Sequence, residues 1–79
     1  MSGWQFDRDS KEHYLPFSCG DDEQRSMKVF KTSGGDYAVT CHYDSIGHGG
    51  EIEYAANLRK AKTFAETAIQ SGNWYRLAP

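Results

Sequence analysis

No run of apolar residues in this chain approaches the ~20 that a membrane-crossing helix needs. The first residues are polar and lack the apolar stretch of a secretory leader, so a cytoplasmic, reducing location is the expectation. Cysteine is scarce. Cys19 and Cys41 alone are too thin a framework for a disulfide-held mini-protein, and two reduced thiols are expected. Neither sign of charge dominates, with eleven acids against nine bases and a net charge of −2, which removes any global attraction to nucleic acid and leaves room only for a local basic patch. Leu and Ile are few, and the chain has no internal repeat and no low-complexity segment.

Chemical motifs are also missing. Zinc centres need four convergent ligands, commonly at CxxC or HxxxH spacing, and none occurs here. Cys41 and His42 are adjacent on an expected strand and point to opposite faces, while His13, Cys19 and His48 lie elsewhere. Gly47-His48-Gly49-Gly50 lacks the GxxxxGK[ST] pattern and precedes a strand rather than a helix, so it is read as a flexible loop and not as a phosphate cradle. A nucleophile such as Cys41 would need a base and a pocket, and 79 residues build only a thin core. We therefore expect no catalytic residue, no metal and no cofactor.

What is present is aromatic: two Trp, five Tyr and four Phe, 14% of the chain. Such side chains bury large areas where aliphatic ones are few. The length implies a single domain over residues 1–79. Within it, residues 1–26 read as irregular or as a hairpin, Trp4–Phe6 against His13–Leu15, with Pro16 limiting that segment to an edge or extended strand. Residues 18–26 read as a solvated loop. Strands follow at residues 27–32, 37–43 and 51–55, the first two joined by a turn at Ser33-Gly34-Gly35-Asp36. Tyr37, Val39, Cys41 and Tyr43 share one face of the second strand and Ala38, Thr40 and His42 the other, taken as the wet face. On the third strand Ile52 and Tyr54 are expected to face the core and Glu51 and Glu53 the water.

An amphipathic helix over residues 57–71 completes the pattern. Asn57 is a good N-cap, Gly72 sits at C′, and Leu58, Ala61, Phe64, Ala65, Ala68 and Ile69 form an apolar stripe. The fold class is thus α+β: an antiparallel meander of three to five strands with one C-terminal helix on one face. The apolar tail of residues 73–79 is expected to fold back on the core or pair with the sheet edge.

Charge singles out the candidate contact residues. Arg59, Lys60 and Lys62 occupy the first helical turns, where the helix dipole favours acids, so they are candidates for docking a phosphate or carboxylate surface. Asp21, Asp22 and Glu23 form an acidic run able to occupy a basic groove, and His42 joins them as an exposed polar residue. An unpaired sheet edge would permit a weak homodimer, though a monomer is equally compatible.

Two resemblances attach to these residues. Ser33-Gly34-Gly35-Asp36-Tyr37, then Ala55-Ala56-Asn57, then the alanine-spaced helix through Ala61, Ala65 and Ala68 resemble, over residues 27–72, small phage and mobile-element proteins of the anti-CRISPR type. That resemblance implies a non-catalytic inhibitor that binds a host protein or nucleoprotein complex, such as a CRISPR-type effector, and blocks DNA binding or cleavage. Arg59-Lys60-Ala61-Lys62 with Phe64-Ala65 is similar to the last helix of double-stranded-RNA-binding domains, which touches phosphates. It implies direct nucleic-acid binding and ranks second, because no first helix precedes the strands and the net charge is negative.

Overall fold

Each short polar or glycine-bearing segment reverses the chain, so strands adjacent in sequence become neighbours in space. The computed structural model describes residues 3–18, 24–43 and 52–74, with Tyr43 described by its backbone alone. The strands are β1 (Gln5–Asp7), β2 (Glu12–Ser18), β3 (Gln24–Lys31), β4 (Tyr37–Tyr43) and β5 (Glu53–Ala55), followed by helix α1 (Leu58–Ser71). They form one five-stranded antiparallel meander in the order β1-β2-β3-β4-β5. The expected N-terminal hairpin is present, with Gln5 opposite Tyr14 and Phe6 opposite His13. Pro16 lies in β2 two residues beyond the last β1 pair.

The turns are held locally. Residues 8–11 close the first hairpin, with Asp7 accepting the Asp9 N–H at 2.9 Å and Lys11 in the left-handed region at φ 58°. At the β3–β4 turn the Thr32 N–H donates to the Asp36 carbonyl at 2.8 Å, the Thr32 hydroxyl donates to the Asp36 carboxylate, and Gly35 takes φ 95°. Of the paired glycines, Gly35 takes the positive φ the sequence called for.

Helix α1 is capped at both ends. Asn57 accepts the Lys60 N–H at 2.9 Å, and Gly72, at φ 79°, donates its N–H to the Ile69 carbonyl at 3.3 Å. Such an N-cap contributes about 1 kcal/mol.

Opposite residues of an antiparallel ladder share a face. Leu15, Met27 and Cys41 make one cross-strand row and Val29 and Val39 another, and Ala61, Ala65 and Ala68 of the helix complete the core above them. Trp4, Phe17, Tyr37, Ala55, Leu58, Ile69 and Trp74 pack around that centre. Trp74 packs against the core just after the helix; residues 75–79 of the expected tail lie outside the described residues.

Four expectations are corrected. Residues 24–26 belong to β3 and not to a loop, because Gln24, Arg25 and Ser26 continue the ladder against Ser18, Phe17 and Pro16. Ile52 and Tyr54 do not face the helix. Glu53 pairs with Val39 and Tyr54 with Ala38, which puts Glu53 on the helix side and leaves Ile52 and Tyr54 substantially exposed on the other. Alternation divides a strand into two sets without saying which one meets the helix. The supposed wet face of β4 is dry, since Ala38, Thr40 and His42 are all buried. Phe64, assigned to the apolar stripe, is 40% exposed. At about 100° per residue it stands roughly 70° from the mean direction of the three buried alanines.

Two stability outcomes follow from this packing. Ala65→Leu inserts three carbons where the helix and sheet meet, and should lower stability by about 1–3 kcal/mol, seen as a lower urea midpoint. Lys11→Gly relieves the cost of a left-handed residue, about 1–2 kcal/mol, against a glycine entropy cost of about 0.5–1 kcal/mol. It should raise stability by roughly 0.5–1 kcal/mol in the same assay.

Candidate functional site

The helix start presents cations because its cap is neutral. Asn57 satisfies the orphan N–H of Lys60, and the first turn contains no acid, so Arg59 and Lys60 stand exposed without a carboxylate in that turn. They line a surface concavity of about 580 Å³ together with Asn57, Thr63 and Phe64. Helical geometry explains the grouping. Residues 59, 60, 63 and 64 span about 140° on one flank of α1, at about 100° per residue. An exposed aromatic ring therefore adjoins two cations, a combination suited to a partner with both anionic and apolar surface.

Lys62 is not part of that group. The same angular count places it about 160° from Lys60, though only about 60° from Arg59. There its Nζ lies 5.3 Å from the centroid of the Trp4 ring. The Trp4 indole donates its Nε1–H to Glu66 Oε2 at 2.9 Å, so two helix residues one turn apart hold the N-terminal tryptophan. The three candidate cations are thus split two and one.

His42 sits inside the protein, 8% exposed, on the sheet face away from the helix. It is buried, which corrects the expectation that it is exposed. Its neighbour Cys41 is buried on the helix side, so the two point apart as expected from strand alternation. Asp21, Asp22 and Glu23, like Cys19 and His48, lie outside the described residues.

Two features escaped the sequence reading. Arg25 is only 5% exposed, and its guanidinium lies 4.6 Å from the centroid of the Trp74 ring, which meets Phe17 edge-on at 5.8 Å. A desolvated cation over an indole contributes on the order of 2 kcal/mol. The polar look of Gln24-Arg25-Ser26 concealed it. Phe64 was missed as a surface residue, although its offset from the alanine axis could have been counted from the sequence.

Near β1, the His13 ring lies tilted against Phe6, with ring centroids 4.7 Å apart. Burial, and secondarily the Lys62 cation, hold its pKa below the ordinary 6.5. The depressed value means that the neutral imidazole is favoured in the fold. Its contribution to stability is present above the unfolded pKa and is lost as pH falls through it toward the folded one. The chain matches no family model, and neither a curated protein nor a solved structure is significantly similar to it.

Lys62→Gln should raise the NMR-titrated pKa of His13 while leaving it below 6.5, because burial is the larger cause. An unchanged value would show that Lys62 does not act on the imidazole.

Proposed function

We propose that this chain is a non-catalytic binding protein that docks an anionic surface through the start of its helix. The observation that carries this reading is the grouping of Arg59 and Lys60 with the exposed Phe64 around one concavity, at a helix end where the backbone N–H groups add positive potential. Folding has no need of these cations; Asn57 caps the helix without them. Cations at that end cost a few tenths of a kcal/mol each. A partner surface bearing phosphates or carboxylates turns that unfavourable placement into a favourable one.

In its finer form the proposal is a stoichiometric inhibitor from a phage or mobile element, in the manner of anti-CRISPR proteins, binding a CRISPR-type effector and obstructing DNA binding or cleavage. Asp21, Asp22 and Glu23 belong to it as an acidic segment able to enter a basic groove. Direct nucleic-acid binding is the second reading, favoured by the exposure of Arg59 and Lys60 at the helix start.

Among the described residues no helix is long and apolar enough to cross a membrane. Wild-type chain and the double variant Arg59→Glu/Lys60→Glu are compared for capture of purified CRISPR-type effector complexes and for retention of duplex RNA. The reversal should weaken effector binding at least tenfold while moving the thermal midpoint little, since both residues are exposed. Equal capture by both proteins would overturn the docking role of the helix start. If duplex RNA alone is bound, two phosphate contacts predict a loss of affinity of about tenfold between 50 and 200 mM salt, and the second reading replaces the first.

A further inference from the structure

The β1 edge of the sheet is lightly tied to the core. β1 has three residues, all exposed, and pairs only with Glu12, His13 and Tyr14 of β2. None of the three belongs to the buried cluster of Leu15, Met27, Val29, Val39, Cys41 and the helix alanines. Segments with exposed ladders and few apolar contacts open locally while the remainder stays folded. On the helix side two aromatic residues hold this segment down. The Trp4 indole donates to Glu66 at 2.9 Å, and Lys62 Nζ stands 5.3 Å from its ring centroid. Phe6 rests against His13, its partner across the ladder, with ring centroids 4.7 Å apart. We propose that residues 3–7 are a pH-released strap, which lets go when protonation of His13 sets a second cation beside Lys62 against the Phe6 ring.

The groups around His13 favour its neutral form. From β1 it meets the apolar Phe6, whereas Asp7 pairs with Glu12 and both fall on the other face. Helix α1 brings Lys62 and, one turn later, Glu66, whose carboxylate accepts the Trp4 indole. Strand β3 places Val29 opposite His13, with Lys31 two residues on along the same face, and Lys11 precedes it in the turn. The row His13, Val29, Val39 and Glu53 ends on β5. Three strand spacings put Glu53 about 14 Å away, beyond the ~8–10 Å screening length. Among these near groups cations outnumber carboxylates. Burial, then Lys62, keeps the His13 pKa below 6.5. An imidazole uncovered by Phe6 loses its burial and binds its proton more readily. The strap is therefore closed above 6.5 and loosens as pH falls from there through the pKa of the folded state.

The test is NMR on the full chain between about pH 7.5 and 4.5, reading the His13 pKa together with hydrogen-exchange protection strand by strand. The opening constant of the β1–β2 ladder should rise about tenfold for each unit by which the measured His13 pKa lies below 6.5. Protection in β3 and β4 should stay constant over the same range. His13→Gln, neutral throughout, should remove the pH dependence of β1. Should that variant leave β1 open at every pH, Lys62→Gln serves instead, and should shrink the rise by the factor its higher His13 pKa dictates. Glu66→Gln should keep the rise, which separates the imidazole from the carboxylate that holds Trp4. Protection of β1 that stays constant while His13 titrates would overturn the strap. So would a rise that survives in His13→Gln or vanishes in Glu66→Gln, or a loss of protection shared equally by β3 and β4.

Discussion

The structure depends on the close approach of one helix to one sheet, made through alanine. Ala61, Ala65 and Ala68 are the buried residues of α1, and beneath them Met27, Val29, Val39 and Cys41 have no exposure at all. Small side chains allow backbone and sheet to meet at interior packing density without long aliphatic residues. The chain has few of those to give. A core sealed this way is thin, and the aromatic residues cannot enter its centre. They are displaced to its margins, where they do different work.

At one margin Trp4 packs beside the core, hydrogen-bonded to Glu66 and faced by Lys62. At another, Trp74 lies between Phe17 and the buried Arg25. Both tryptophans stand outside the regular elements they stabilise, one before β1 and one after α1. They tie the chain's flanks to a sheet–helix contact that would otherwise be open along its sides. Each also has a polar neighbour suited to its ring, which is why indoles rather than leucines serve at these half-wet positions.

Much of the fold was legible because its signals are local. Asn57 and Gly72 bracket the helix, the paired glycines at 34 and 35 mark a hairpin, and strict alternation delimits β4. What was not legible depends on register. Nothing in Glu51-Ile52-Glu53-Tyr54 states that Glu53 falls opposite Val39; hydrophobicity alone suggested the reverse. His42 and Thr40 were assigned correctly to the face away from the helix, and the error lay in equating that face with solvent. Arg25 was hidden because its ring contact is with Trp74, nearly fifty residues later in the chain. The candidate cations were found by their number along the chain, but it is the Trp4 ring that draws Lys62 away from the concavity Arg59 and Lys60 line.

That separation bears on whether a chain of net charge −2 can present a basic surface. Net charge describes the field far away, whereas salt at 0.1 M screens exposed charges beyond about 10 Å. The molecule extends over 36 × 26 × 24 Å, so acids on its distant parts contribute little at the helix start. The local field there comes from Arg59, Lys60 and the N-terminal end of the helix dipole, with no acid in the first turn to cancel it. Lys62, turned toward Trp4, adds less to that flank than its place in the sequence suggests. The neutral Asn57 cap is what makes this arrangement compatible with a stable helix: it satisfies the backbone by hydrogen bonding and leaves the positive potential intact. An acidic cap would have satisfied the same N–H group and neutralised the surface at the same time.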